Sequence, residues 1–142
     1  MSEVSSPEPD LSHVRRMWRD DPASAHLGME LLTLEPDHAV VRMTVTDVMT
    51  NGHGSAHGGY LFLLADSTFA LVCNSGGRTT VAAAADITFT APGRLGDVLI
   101  AEGWTRTAYG RNGITDVRVI RESDGVVIAE FRGRSRSLSD AR

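Results

Sequence analysis

The run NGHGSAHGG (residues 51–59) followed by YLFLLADSTFALVCN (residues 60–74) decides how the rest of the chain must be arranged. It passes abruptly from a polar, glycine-rich loop to a segment that is apolar on nearly every helical face, and a helix of that kind belongs inside a protein. From Gly59 to Asn74 it would be about 24 Å long, enough to cross a small domain. It falls short of the roughly 20 strongly apolar residues of a membrane span, and Asp66 stands at its centre. The segment therefore reads as the buried helix of a water-soluble domain.

Asp66 needs a reason to be there. A carboxylate removed from water must be paired, hydrogen-bonded or protonated, and such a group is a candidate for chemistry. One reading is structural, with Asp66 bonding Ser or Thr groups or facing a wet subunit seam. The other is functional and draws on the loop before it. Asn51, Gly52, His53, Gly54, His57, Gly58 and Gly59 are not core formers. Glycines let a ligand approach the backbone, and free N–H groups at a helix start bind an anion or polarise a carbonyl. Gly58 and Asp66 are a little over two turns apart, about 12 Å along a helix. A ligand would lie along or across the helix start, or meet a carboxylate supplied by a neighbouring subunit.

Two other chemistries fit less well. His53 and His57 are four residues apart but sit in a Gly/Ser loop with no convincing third ligand, so no metal is expected. Ser55 and Ser67 lack the G-x-S-x-G elbow of a serine hydrolase, which leaves Ser67 as at most a supporting hydroxyl.

A chain of 142 residues, 42% hydrophobic, is one ordinary domain with a genuine core. A net charge of -4 carries no electrostatic footprint for nucleic acid. Cys73 is the single cysteine, so an intrachain disulfide is impossible and a reducing cytoplasm is the expected compartment. No signal peptide or lipidation motif is visible, and no membrane association is expected.

In chain order, residues 1–10 read as a loose polar tail and residues 11–142 as the domain. Leu11 to Arg19 repeats apolar residues at helical spacing, with Asp10 as a cap. Met29 to Leu34 and Ala39 to Val45 read as strands joined by a hairpin turn. Thr80 to Thr90, Val98 to Thr107, Ile114 to Arg121 and Val126 to Ser137 add four more, punctuated by Pro92-Gly93, YGRNG and ESDG turns. Six strands and one apolar helix make an α+β domain, and the expectation is a curved antiparallel sheet wrapped around one long central helix, leaving no sheet face bare.

The run NGHGSAHGGYLFLLADSTFALVCNS, with the HGG-x6-D spacing from His57 to Asp66 and the later ITFTAPGRLGD block, resembles the phenylacetyl-CoA thioesterase branch of the hotdog-fold acyl-CoA thioesterases. The similarity covers almost the whole chain, through the terminal FRGRS. It implies a single hotdog domain that hydrolyses phenylacetyl-CoA or hydroxyphenylacetyl-CoA type aryl thioesters to free acid and coenzyme A. Coenzyme A is then part of the substrate and a product, and no separate cofactor is implied. By resemblance the Gly58 N–H binds the thioester oxygen and Asp66 acts as general base or direct nucleophile. Asn51 holds water or the carbonyl, and His57 shapes the loop. Coenzyme A contacts are implied for Phe89, Ala91 and Pro92 and for Gly110, Arg111 and Asn112. The resemblance further implies a homodimer with shared sites, extending to a homotetramer. A broader medium-chain or hydroxybenzoyl-type thioesterase, a noncatalytic acyl-CoA-binding protein and a hotdog dehydratase are the alternatives.

Overall fold

A computed structural model describes residues 9–138, so residues 1–8 of the expected loose tail lie outside the described residues. Three α-helices, α1 (Ser12–Arg19), α2 (Pro22–His26) and α3 (Gly58–Cys73), and a 3-10 turn at Asp47–Met49 accompany six strands. These are β1 (Glu30–Glu35), β2 (His38–Thr44), β3 (Thr80–Phe89), β4 (Val98–Tyr109), β5 (Asn112–Arg121) and β6 (Val127–Ser137). All six expected strands form, with ends shifted by a few residues. Asp10 does act at the start of α1, its Oδ1 accepting from the Ser12 N–H at 3.0 Å, although Leu11 occupies the cap position itself.

Helix α2 was not anticipated from the sequence. Its five residues are too few to show a period, but the local chemistry is legible. Asp21 caps it by accepting from the Ser24 N–H at 3.0 Å, and Pro22 stands at the first turn, where its missing N–H costs nothing.

The strands form one antiparallel sheet in the order β1-β2-β4-β5-β6-β3. This corrects the expectation of a curved sheet wrapped around the helix. The sheet is open, its edge strands β1 and β3 do not pair with each other, and α3 lies against one face. The expectation failed because it required that no edge and no sheet face stay bare. That face carries charged side chains paired across strands, Arg118 with Glu130 at 2.7 Å and Arg132 with Asp116 at 2.7 and 2.9 Å. Such a face can remain in water.

The inner face is built for close approach. Val117, Val119, Ala129, Phe131, Leu99 and Ala101 alternate inward and are buried with Leu61, Leu64, Ala65, Phe69 and Val72 of α3. Two strand glycines receive the helix directly. A Cβ on Gly133 would collide with the Phe69 ring, and one on Gly103 would stand 3.1 Å from both Thr68 and Val72 methyl groups. The Phe69 ring also packs on Phe131, centroids 5.8 Å apart. Among the described residues no helix is long and apolar enough to cross a membrane.

Gly133→Ala tests this contact. The added methyl must displace a fully buried ring, so the variant is expected to lose about 1–3 kcal/mol in chemical denaturation, the range for overpacking a core. Unchanged stability would mean that the helix and sheet can separate at no cost.

Candidate active site

The loop before α3 is held at both ends by backbone bonds. The Ala56 N–H donates to Gly93 O and the His57 N–H to Met49 O, each at 2.7 Å, which ties the helix start to the β3–β4 connection. Inside the loop Asn51 Oδ1 accepts from the His53 and Ser55 N–H groups at 2.9 and 3.1 Å. The Asn51 oxygen is thus committed to the turn, and its NH2 donors are left over.

His57 caps α3, its Nδ1 accepting from the Gly59 N–H at 3.0 Å. That bond requires an unprotonated Nδ1, so the neutral ring carries its proton on Nε2. Tyr60 and Leu61 donate to His57 O. The Gly58 N–H alone among the first helical donors has no acceptor among the described residues. It therefore points the positive end of the helix at whatever binds there.

Gly58 lines a cleft of about 480 Å³ together with Asn51, Ala56, Leu61 and the segment 89–93. Phe89 is 52% exposed and covers Gly58, where a Cβ would stand 2.9 Å from the ring Cζ. Glycine is required here for space. Pro92 is pinned from behind by Arg121, which donates to Pro92 O at 2.8 Å and pairs with Asp97 at 3.0 Å.

Asp66 does not line this cleft. It lies two turns further on, half-buried, with no hydrogen bond or ion pair among the described residues. Burial pushes its pKa above the usual carboxylate value, and the charge of Asp21 adds to the shift. Asp66 shares an arc of α3 with Phe62, Leu63, Ala70 and Cys73, all half-buried, while the rest of the helix beyond Tyr60 is covered. That arc borders β6, where the Phe62 and Phe131 rings stack edge to face at 5.3 Å. Next to β6 is edge strand β3, whose residues 81–86 are exposed. An apolar helical arc holding an unpaired carboxylate and a bare small-residue strand thus lie side by side.

Of the site residues expected from sequence, the structure gathers Asn51, Gly58, Phe89, Ala91 and Pro92 around one cleft, with His57 at its edge. The turn Gly110, Arg111 and Asn112 does not join them. It connects β4 to β5, and Asn112 lines a different cavity at the C-terminal end of α3. Ser67 is buried, its hydroxyl 2.7 Å from that of Ser24, which in turn donates to Asp21 at 2.6 Å. Sequence reading left Ser24 unassigned, and the short Asp21-Pro22 cap was the signal that could have placed it. Among the described residues no cluster of three or more His, Cys, Asp or Glu could hold a metal ion.

The thioesterase superfamily matches residues 53–128 of the chain. The chain is 41% identical over 122 residues to acyl-coenzyme A thioesterase PaaI of Escherichia coli (strain K12), covering 86% of each. The solved structure of the E. coli PaaI protein from the phenylacetic acid degradation operon superposes with a TM-score of 0.87 at 38% identity, over 92% of this chain and 94% of that one. A hypothetical thioesterase protein from Streptococcus pneumoniae TIGR4, solved with coenzyme A, superposes with a TM-score of 0.75 at 27% identity, over 80% and 91%.

The raised pKa of Asp66 has a stability consequence of definite sign. A folded-state pKa above the unfolded value adds stability that is full below the unfolded pKa and is lost as pH rises through the folded one. At pH 7 the ionised carboxylate is therefore a cost. Asp66→Asn should raise Tm at pH 7, with the difference from wild type shrinking as pH falls toward about 4. A lower Tm at pH 7 would mean that the carboxylate has a stabilising partner.

Proposed function

We propose a reaction for this chain from one premise: it belongs to the thioesterase superfamily and is an acyl-coenzyme A thioesterase related to PaaI of E. coli. Its substrate is an aryl acyl-coenzyme A of the phenylacetyl or hydroxyphenylacetyl kind, and its products are the free acid and coenzyme A. The observation that carries this reading is the unpaired Gly58 N–H, held at the start of α3 in a cleft walled by the Phe89 ring.

The thioester carbonyl oxygen accepts from the Gly58 N–H, where the helix field favours the negative charge that develops as water attacks. The NH2 of Asn51, freed because its oxygen serves the loop, donates to the same oxygen or holds the water. Asp66 takes the proton from that water, the tetrahedral intermediate collapses, and the C–S bond breaks. The departing thiolate takes up the proton that Asp66 accepted from the water, which releases coenzyme A as the thiol and restores the carboxylate. A carboxylate pKa raised by burial makes Asp66 a stronger base while leaving it ionised above that pKa. His57 positions the loop, and Phe89, Ala91 and Pro92 contact the substrate beside it.

Gly58 and Asp66 lie on one helix, about 12 Å apart along its axis, so they serve different sites. The base for each cleft comes from a second copy of the chain, and the half-buried arc of α3 together with β3 is the surface through which two copies meet. The turn Gly110, Arg111 and Asn112 likewise reaches coenzyme A only from another subunit. The working form is a homodimer, with a homotetramer as the larger assembly, and the reducing cytoplasm suits its one thiol. Burial pushes Cys73 up to about 12, so it stays protonated and inert.

Single-turnover release of coenzyme A from phenylacetyl-CoA, run beside a short aliphatic thioester, tests the reaction. Asp66→Asn is expected to lower kcat by about 10²-fold or more with binding retained, and Asn51→Ala to have a milder effect. The wild-type acid limb of kcat should fall above the usual carboxylate pKa and vanish in the Asp66 variant. Faster aliphatic turnover would reject the aryl substrate, and equal rates in wild type and variant would remove Asp66 from the chemistry.

Light scattering against dilution tests assembly. Activity and dimer are expected to disappear together, and a fully active monomer would end the shared-site reading.

A further inference from the structure

Where α3 stops at Cys73, the inner face of the sheet changes from apolar to polar. Thr115 of β5 and Ser135 of β6 face inward there, beyond Val117 and Phe131. Between them and the helix end is a cavity of about 110 Å³ that shares no lining residue with the cleft at the start of α3. Arg78, in the connection from α3 to β3, lines it, and its Nη1 is buried with no hydrogen-bond partner. Among the described residues the guanidinium forms no ion pair.

Several nearby acceptors already have donors. Ala70 O accepts from the Asn74 N–H and Nδ2 at 3.1 and 2.9 Å, and Val72 O from the Ser75 N–H and Oγ at 3.2 and 2.7 Å. Asp37 at the rim accepts from Thr105 Oγ1 at 2.7 Å. The carbonyl end of α3 supplies a field that suits a cation. Thr115 and Ser135, both buried and both lining the cavity, also have hydroxyls without a hydrogen bond among the described residues.

An Arg side chain keeps its charge at any ordinary pH, and a buried donor left unmade is costly. At about 30 Å³ per molecule the cavity has room for three or four waters. Water can satisfy the N–H but brings no charge to the guanidinium. A tetrahedral oxyanion fits comparable space, accepts from the guanidinium and both hydroxyls, and neutralises the charge. We propose that this cavity is a binding site for a small oxyanion of the phosphate or sulfate type, held by Arg78 with the hydroxyls of Thr115 and Ser135. The proposal does not depend on the reaction assigned to the other end of the helix.

Calorimetric titration of the full chain with inorganic phosphate, against chloride at matched ionic strength, tests it. Saturable binding is expected for phosphate alone. Arg78→Met should weaken it about 10-fold or more, the scale of a lost charge-assisted hydrogen bond, and Arg78→Lys should recover part of the loss. Asp37→Asn carries the opposite sign. Asparagine tolerates the left-handed backbone at this position, φ 63°, and still accepts from Thr105, but removes a negative charge from the rim. It should tighten phosphate by up to about 5-fold. Coenzyme A competing where 3′-dephospho-coenzyme A does not would support the site with a nucleotide phosphate as its natural source. Competition by neither would support it with a free oxyanion. Phosphate binding no better than chloride, unchanged in Arg78→Met, or weakened in Asp37→Asn overturns the proposal.

Discussion

The contact of the Phe69 ring with Gly133 is the constraint on which the arrangement depends. A helix apolar on almost every face can come this close to a sheet only where the strand has no side chain, and Gly103 makes the same allowance beside Thr68 and Val72. With that face of α3 fixed, the other residues follow by helical geometry. Ser67 turns toward α2, where Ser24 receives it, and Phe62, Asp66 and Ala70 turn away from the sheet's centre toward the β3 edge. Asp66 is left half-buried and unpaired because the chain that surrounds the rest of the helix stops short of that arc.

Much of this was legible because it is written in local pattern. The unbroken apolar run of α3, the Gly-Pro-Asp punctuation between strands and the alternation of Thr115, Val117 and Val119 are short-range signals that survive without any fold in hand. The openness of the sheet was not, since it turns on whether residues such as Arg118 and Glu130 stand opposite each other, and that pairing needs the register of β5 on β6. The candidate site divided the same way. Asn51 and Gly58 lie in one continuous motif, and the structure brings 89–92 to them through the Ala56 to Gly93 bond. Asn112 could not be placed from its turn sequence, because where a β4–β5 turn lies depends on the strand order. Arg78 carries no signal in the sequence, and its lack of a partner emerges only when Thr115 and Ser135 line the same cavity.

The proposed reaction uses a separation that one chain cannot close. A backbone donor at the first turn of α3 and a carboxylate in its third cannot reach the same thioester carbonyl along a straight helix. Two antiparallel copies could exchange them, each contributing its helix start to one cleft and its Asp66 to the other. The uncovered arc then has a double consequence. It leaves apolar surface on which the proposed second copy would pack, and within one chain it withholds from Asp66 the partner that would hold its pKa down.

The two ends of α3 are treated in opposite ways. At the C-terminal end the side chains of Asn74 and Ser75 double the backbone donors on Ala70 O and Val72 O. At the N-terminal end only one side chain, His57, reaches a helical donor, and the Gly58 N–H stays bare beneath Phe89. A helix selected for stability alone would cap both ends, since a satisfied orphan group is worth about 1 kcal/mol. Any side chain at position 58 would both strike the Phe89 ring and crowd the one free donor. The glycine there thus meets the packing demand of the cleft wall and the access demand of the exposed amide with the same missing atom.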